Sequence, residues 1–310
     1  MKNSYQKLLK IILVIAISMF SLIQPVIATT NVTANDKAWE FFDQAIENIE
    51  NNNYQQAFFD LTKVINLGHV LIPAAYSNRC LVNLQLDNHQ AAKLDCKEAI
   101  KFNPNNTEAY LNWGLAEYRL GNYEQALAQY QEVIKKNHDD YRAYYNQGLV
   151  NFALEKYQIA FENYDKALVL TQLQSPSEVG LIYNNRGLVY LKLKNIENAI
   201  ADFTQAINLD KSNIMAYYNR AYAYEKKQNY LASIADLSRV IRLNPSSTLS
   251  YVNRGRLYYF IGLQQAALRD FKIALNQFEE QGKIAAYQQT LSLINQFKEN
   301  IIQSNRMLYS

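Results

Sequence analysis

Residues 215–224 read MAYYNRAYAY. Tyr217, Tyr218, Tyr222 and Tyr224 mark a helix that packs, yet Asn219 and Arg220 stand in its middle. Burying an amide without a partner costs roughly 2–7 kcal/mol, and burying an unpaired charge costs more. The stretch is one copy of a pattern. A Tyr-x-Asn motif begins at Tyr76, Tyr110, Tyr144, Tyr183, Tyr217 and Tyr251, at spacings of 34, 34, 39, 34 and 34 residues. Behind each motif come two small residues twelve apart: Cys80/Ala92, Gly114/Ala126, Gly148/Ala160, Gly187/Ala199, Ala221/Ser233 and Gly255/Ala267. A larger residue follows the second by four (Cys96, Tyr130, Tyr164, Phe203, Leu237, Phe271), and Ala or Val follows three later. A weaker first copy aligns at Phe41, Ala45, Ala57, Leu61 and Val64.

Seven copies at period 34, with small, small, large and small residues at fixed offsets, resemble the tetratricopeptide repeat (TPR) family. With position 1 at Ala38, Pro73, Thr107, Tyr141, Gly180, Ile214 and Thr248, the repeats span 38–71, 73–106, 107–140, 141–174, 180–213, 214–247 and 248–281. The residues alone read as helix–turn–helix. Apolar positions recur at three and four in each half, breakers such as Gly121-Asn122 and Gln228-Asn229 fall between the halves, and no strand-period segment competes. The expected fold is all-α, a right-handed TPR solenoid whose repeats contact only their neighbours. Ile284, Tyr287, Leu291, Ile294, Phe297 and Ile301 predict a helix within 282–310 that caps the last repeat. Ser175 to Val179, with Pro176, lengthen the fourth junction by five residues and are read as a kink, a displayed loop or a tolerated insertion.

In an antiparallel hairpin, position 8 facing position 20 brings 7 near 23. Every Arg at position 7 then meets an Asp at 23 of its own repeat: Arg79/Asp95, Arg186/Asp202, Arg220/Asp236 and Arg254/Asp270. The expectation is an ion pair stapling the two helices of one repeat. The family usually places an apolar residue at position 7, so these repeats depart from it.

Position 6 is Asn in six consecutive repeats: Asn78, Asn112, Asn146, Asn185, Asn219 and Asn253. By the resemblance, this position lines a concave groove, where an asparagine ladder would grip an extended peptide. A carboxamide offers both an acceptor and donors, so it can hold a peptide group without reading its side chain. Tyr145 and Tyr218, at position 5, join the expected peptide-binding set. The competing reading gives the Asn column to stacking between helices, and the sequence leaves both open. The family's Lys/Asn clamp for a terminal carboxylate lacks its residues here.

Lys2, Lys7 and Lys10 precede an apolar run from Ile11 to Ile23 and then Val26-Ile27-Ala28. Residues 1–28 read as an export signal; the alternative is a membrane anchor over residues 8–28, and 29–37 read as a linker. The chain is therefore expected in a periplasm, a lumen or outside the cell. The full chain carries +3, but residues 1–28 hold three Lys and no acid, leaving 28 cations against 28 anions. No basic footprint for nucleic acid or an anionic membrane remains.

Cys80 and Cys96 are the only cysteines. They stand at positions 8 and 24, about a turn out of step on opposed helices. The favoured expectation is two small thiols filling the Ala/Gly and Tyr/Phe slots, with a disulfide as the alternative. His69, His89 and His138 have no metal-ligand spacing, six of the nine glycines serve repeat position 8 or 15, and no nucleophile has a base placed beside it. No cofactor, metal or catalytic residue is expected. The function implied is a non-catalytic scaffold that holds an extended protein segment for assembly of envelope or lumenal complexes. The alternative is a platform that docks folded subunits by a convex face or an end, and an enzyme is a remote third.

Overall fold

The computed structural model describes residues 32–68, 70–171 and 175–308, which are helical without a strand among them. They form two units, divided after Leu170. The first holds four helix pairs: α1 Val32–Glu50 with α2 Tyr54–Asn66, α3 Ile72–Gln85 with α4 His89–Phe102, α5 Thr107–Arg119 with α6 Tyr123–Lys136, and α7 Tyr141–Ala153 with α8 Tyr157–Leu170. The second holds three pairs and a final helix: α9 Pro176–Lys192 with α10 Ile196–Leu209, α11 Ile214–Lys226 with α12 Tyr230–Leu243, α13 Thr248–Phe260 with α14 Gln264–Glu280, and α15 Ile284–Leu308. Within each unit, successive pairs stack as a solenoid.

Each pair closes through the same turn. The amide six residues into it bonds back to the fifth preceding carbonyl: Asn53 to Asn48 (2.7 Å), Asn122 to Glu117 (2.8 Å), Asn229 to Tyr224 (2.9 Å), Leu263 to Tyr258 (2.8 Å). This is the helix C-terminal motif that needs one left-handed residue. Gly121 and Gly262 supply it at φ +79° and +81°, whereas Asn52, Asp87, Glu155, Lys194 and Gln228 hold it at φ 59–61° with a side chain. The next residue starts the second helix, and Asn195 and Asn229 cap it by accepting from the amides of Asn198 and Ala232 at 3.3 and 3.2 Å.

The repeat's small and large positions make the core. A Cβ placed on Gly148 would lie 2.5 Å from the Tyr164 ring, and one on Gly187 2.6 Å from Phe203. Those rings are at most 1% exposed and fill the gap between the helices of one pair. Position 8 thus meets position 24 directly. That corrects the expected register for Cys80 and Cys96, which are joined by a disulfide with Cα atoms 5.3 Å apart. Gly, being without a side chain, had hidden how closely its helix approaches position 24.

Two expectations about boundaries change. Residues 32–37 belong to α1 rather than to a linker, because nothing between Val32 and Glu50 breaks a helix. The insertion at 175–179 is not a displayed loop but the start of α9, with Pro176 in its first turn. The Ser175 amide and hydroxyl both donate to Glu178, at 3.1 and 3.0 Å. Helix α15 covers the last pair, stacking Phe297 on Tyr259 with ring centroids 3.7 Å apart and burying Ile294, but Ile284 stays exposed. The expected export signal at 1–28 lies outside the described residues, as do the side chains beyond residue 299, Ile301 included.

Candidate functional site

The polar residues of the opening stretch find partners. Arg220 donates Nε to Asp236 Oδ2 and Nη2 to Oδ1, each at 2.8 Å. The same two-pronged pair joins Arg79 to Asp95 (2.8 and 2.7 Å), Arg186 to Asp202 (2.8 and 2.9 Å) and Arg254 to Asp270 (2.7 and 2.8 Å). The guanidinium of Arg220 also lies 5.8 and 5.7 Å from the rings of Tyr217 and Tyr224. Hydrogen bonding to Asp236 and Asp270 raises the pKa values of Arg220 and Arg254.

Sequence reading missed a third bond. Nη1 of Arg79, Arg220 and Arg254 reaches back to the preceding repeat, to Thr62, Thr204 and Ser238, each at 3.0 Å. All three hydroxyls stand at repeat position 25. Other repeats of the first unit make the same link by different chemistry. Lys97 lies 5.0 Å over the ring of Trp113, and Gln147 donates to Gln131 at 3.4 Å. The signal was present as a polar column at position 25, whose residue changes together with position 7 of the next repeat.

Where Trp113 replaces Arg at position 7, Glu117 supplies the missing carboxylate. It is 1% exposed and accepts from Trp113 Nε1 (2.9 Å), Asn122 Nδ2 (2.7 Å) and Lys93 Nζ (2.8 Å). Burial pushes its pKa up, but the bonds from Lys93, Asn122 and Trp113 outweigh that and hold it below the ordinary carboxylate range. Asp60 of the first repeat is bound by Asn48, Gln56 and Lys63.

The Asn column divides between the two units. In the second unit, Asn219 Nδ2 donates to Asn184 Oδ1 and Asn253 Nδ2 donates to the Tyr218 hydroxyl, both at 2.9 Å. Asn184 also donates to Asn185 Oδ1 at 3.4 Å. Each of the first two carboxamides is thus oriented by position 5 of the preceding repeat, through one of its N–H bonds. Helical spacing places Met215, Asn219, Tyr222 and Lys226 on one face of α11, and Leu249, Asn253, Arg256 and Phe260 on one face of α13. Met215, Tyr222 and Leu249 are 46, 47 and 59% exposed, although large and apolar or aromatic. Lys226 Nζ sits 5.1 Å from the Tyr222 ring, and Arg256 donates to Glu225 at 2.6 Å.

In the first unit the matching face is more closed. Asn112 is buried, while Asn78 and Asn146 are half-buried. Arg142 donates to Glu108 at 3.0 and 2.6 Å and to Asp140 at 2.9 and 2.7 Å, joining position 2 of two successive repeats. Burial raises the pKa of Glu108 despite Arg142. Tyr145, expected to bind peptide, is buried against Tyr164 at 5.9 Å between centroids. It is a core residue, filling space beside the Tyr164 ring. Tyr218 is half-buried and holds Asn253.

Among the described residues, no group of three or more His, Cys, Asp or Glu could hold a metal ion, and no helix is long and apolar enough to cross a membrane.

Family models of the tetratricopeptide repeat match residues 111–176, 181–213 and 216–247. Among solved structures, a tetratricopeptide repeat protein from Parabacteroides merdae is 18% identical over 83% of this chain and all of its own, with a TM-score of 0.62. That of Pseudomonas aeruginosa pilF is 18% identical over 71% of this chain and 97% of its own, at 0.61. A chain of the APC/C hetero-tetramer Cut9–Hcn1 is 15% identical over 82% of this chain and 55% of its own, at 0.58. No curated protein sequence matches. At these identities the likenesses establish the fold.

Proposed function

We propose that this chain of tetratricopeptide repeats is a non-catalytic scaffold for protein–protein interactions that holds an extended segment of its partner along the first helices of the second unit. One observation carries the reading. Asn219 and Asn253, each fixed in orientation by the preceding repeat, lie between half-exposed Met215, Tyr222 and Leu249. A carboxamide with one N–H engaged keeps an acceptor and a second donor for a peptide group, and half-exposed Tyr, Met and Leu supply apolar area beside it. The expected six-rung ladder is thereby narrowed to its last rungs. We place the scaffold in an exported compartment, on the basic and apolar character of residues 1–28 and the Cys80–Cys96 disulfide.

A second reading, docking of a folded subunit by an edge, is favoured by Leu231, Phe260 and Leu263. These are 70, 59 and 51% exposed at the turns of the last two repeats. One experiment separates the two. A partner captured from cell extract is divided into overlapping synthetic peptides, and their affinities are measured by fluorescence anisotropy. The groove reading expects one linear peptide to bind, and to weaken about thirtyfold on Tyr222→Ala, the usual scale for a central aromatic anchor. Asn219→Ala with Asn253→Ala should weaken it too. If only the folded partner binds, and Leu231→Glu rather than Tyr222→Ala abolishes binding, the edge reading replaces it.

A further inference from the structure

Four repeats build the contact between positions 8 and 24 from a glycine and a buried ring: Gly114 with Tyr130, Gly148 with Tyr164, Gly187 with Phe203 and Gly255 with Phe271. In the second repeat the same slot holds the Cys80–Cys96 bond, and both residues are 0% exposed. Ala92, Ala99, Ala109 and Ala116, all fully buried, pack around it. The bond therefore takes the place of a core ring, covalently, and tightens α3 against α4.

Its burial sets the order of events. Thiol–disulfide exchange needs a thiolate to approach a sulfur along the axis of the breaking bond. In the packed second repeat neither sulfur is open to an attacking group of any size. We infer that the chain exchanges with a disulfide-bearing oxidant before α3 and α4 pack. The thiolate of one cysteine attacks the oxidant's disulfide, forming a mixed disulfide and releasing one oxidant thiolate. The thiolate of the other cysteine then attacks the protein sulfur of that mixed disulfide, closing Cys80–Cys96 and releasing the second oxidant thiolate. The two protein thiols lose two protons and two electrons, and the oxidant is reduced to its dithiol. Once packed, the bond is a fixed part of the core and does not answer to the surrounding redox state.

The test uses the full chain, a thiol-reactive polyethylene-glycol maleimide as label and oxidised glutathione as the probe oxidant. Chain isolated from exporting cells should take no label in guanidinium, two labels after reduction in guanidinium, and none when reductant meets only the folded protein. A reduced and refolded chain should lose its thiols to oxidised glutathione at least about tenfold more slowly in native buffer than in guanidinium, since reaction requires local opening. Two free thiols in the exported chain, or equal rates in the two buffers, would overturn the inference. Cys80→Gly with Cys96→Tyr rebuilds the slot as the third repeat has it. Reduction should lower the Tm of the parent by roughly 10 °C and leave that of this variant unchanged. A variant as sensitive to reductant as the parent counts against the assignment, and the labelling decides the matter if the variant does not fold.

Discussion

Arg220 grips Asp236 with two bonds of 2.8 Å while its third donor reaches Thr204 in the repeat before. One guanidinium thus ties three helices, two of one pair and the second helix of its neighbour. A lysine could not, because only the planar fork offers paired donors to a carboxylate and a further one at right distance. The side chains are 16 and 7% exposed, so the pair is largely but not wholly dry.

Arg220→Ala is expected to destabilise the second unit by about 3 kcal/mol, at the low end for a broken buried pair because the arginine keeps some water. Arg220→Met with Asp236→Leu should come within about 1 kcal/mol of the parent, since neither charge is then stranded. Thr204→Val removes one hydrogen bond, about 1 kcal/mol. Urea denaturation of the four chains measures all of this. A cost for Arg220→Ala no larger than for Thr204→Val would refute the three-helix tie.

Gly148 and Gly180 are both buried helical glycines, yet their replacement should have opposite signs. Alanine at 148 would place a Cβ 2.5 Å from the Tyr164 ring, which is 1% exposed and has nowhere to go, so a loss of about 1–3 kcal/mol is expected. At 180 the nearest atom is 3.5 Å away, an ordinary contact. Gly180→Ala should gain up to about 1 kcal/mol from helix propensity. Thermal unfolding of the two variants checks the contrast.

Leu263 begins α14 at the position where Asn229 begins α12, with nearly the same backbone (φ −86°, ψ 62° against φ −86°, ψ 73°). It offers no acceptor to the helix and is half exposed. Leu263→Asn should raise stability by about 1 kcal/mol through a restored cap. If Leu263 instead anchors a folded partner, the same substitution will weaken that complex, which a binding measurement reads separately.

Glu117 links stability to acid. Its folded pKa lies below the ordinary carboxylate value, so its contribution is complete above that value and is lost as pH falls through the depressed one. The first unit of the parent should therefore lose stability on acidification more steeply than Glu117→Gln. Urea midpoints at several pH values between about 3 and 7 would show it, and parallel curves would remove Glu117 from the account.

The repeat, its period, the pairing of helices and the ion pairs are all legible in the residues alone. Each rests on residues close along the chain and on complementary types recurring at fixed offsets: an Arg at 79, 186, 220 or 254 always comes with its Asp sixteen further on. The extra turn of α9 was half legible, since Pro176 and Glu178 carry helix-start chemistry but sit in what counts as an insertion. The remainder depends on distances between helices, which no residue type records. Glycine leaves no trace of how near a neighbour comes, so Gly148 under Tyr164 gave no warning that position 8 meets 24, or that Cys80 and Cys96 stand within bonding reach. Position 6 shows the same limit. Identical asparagines are buried at 112 and held by a neighbour at 219 and 253, because burial is a property of the surrounding helices and not of the residue.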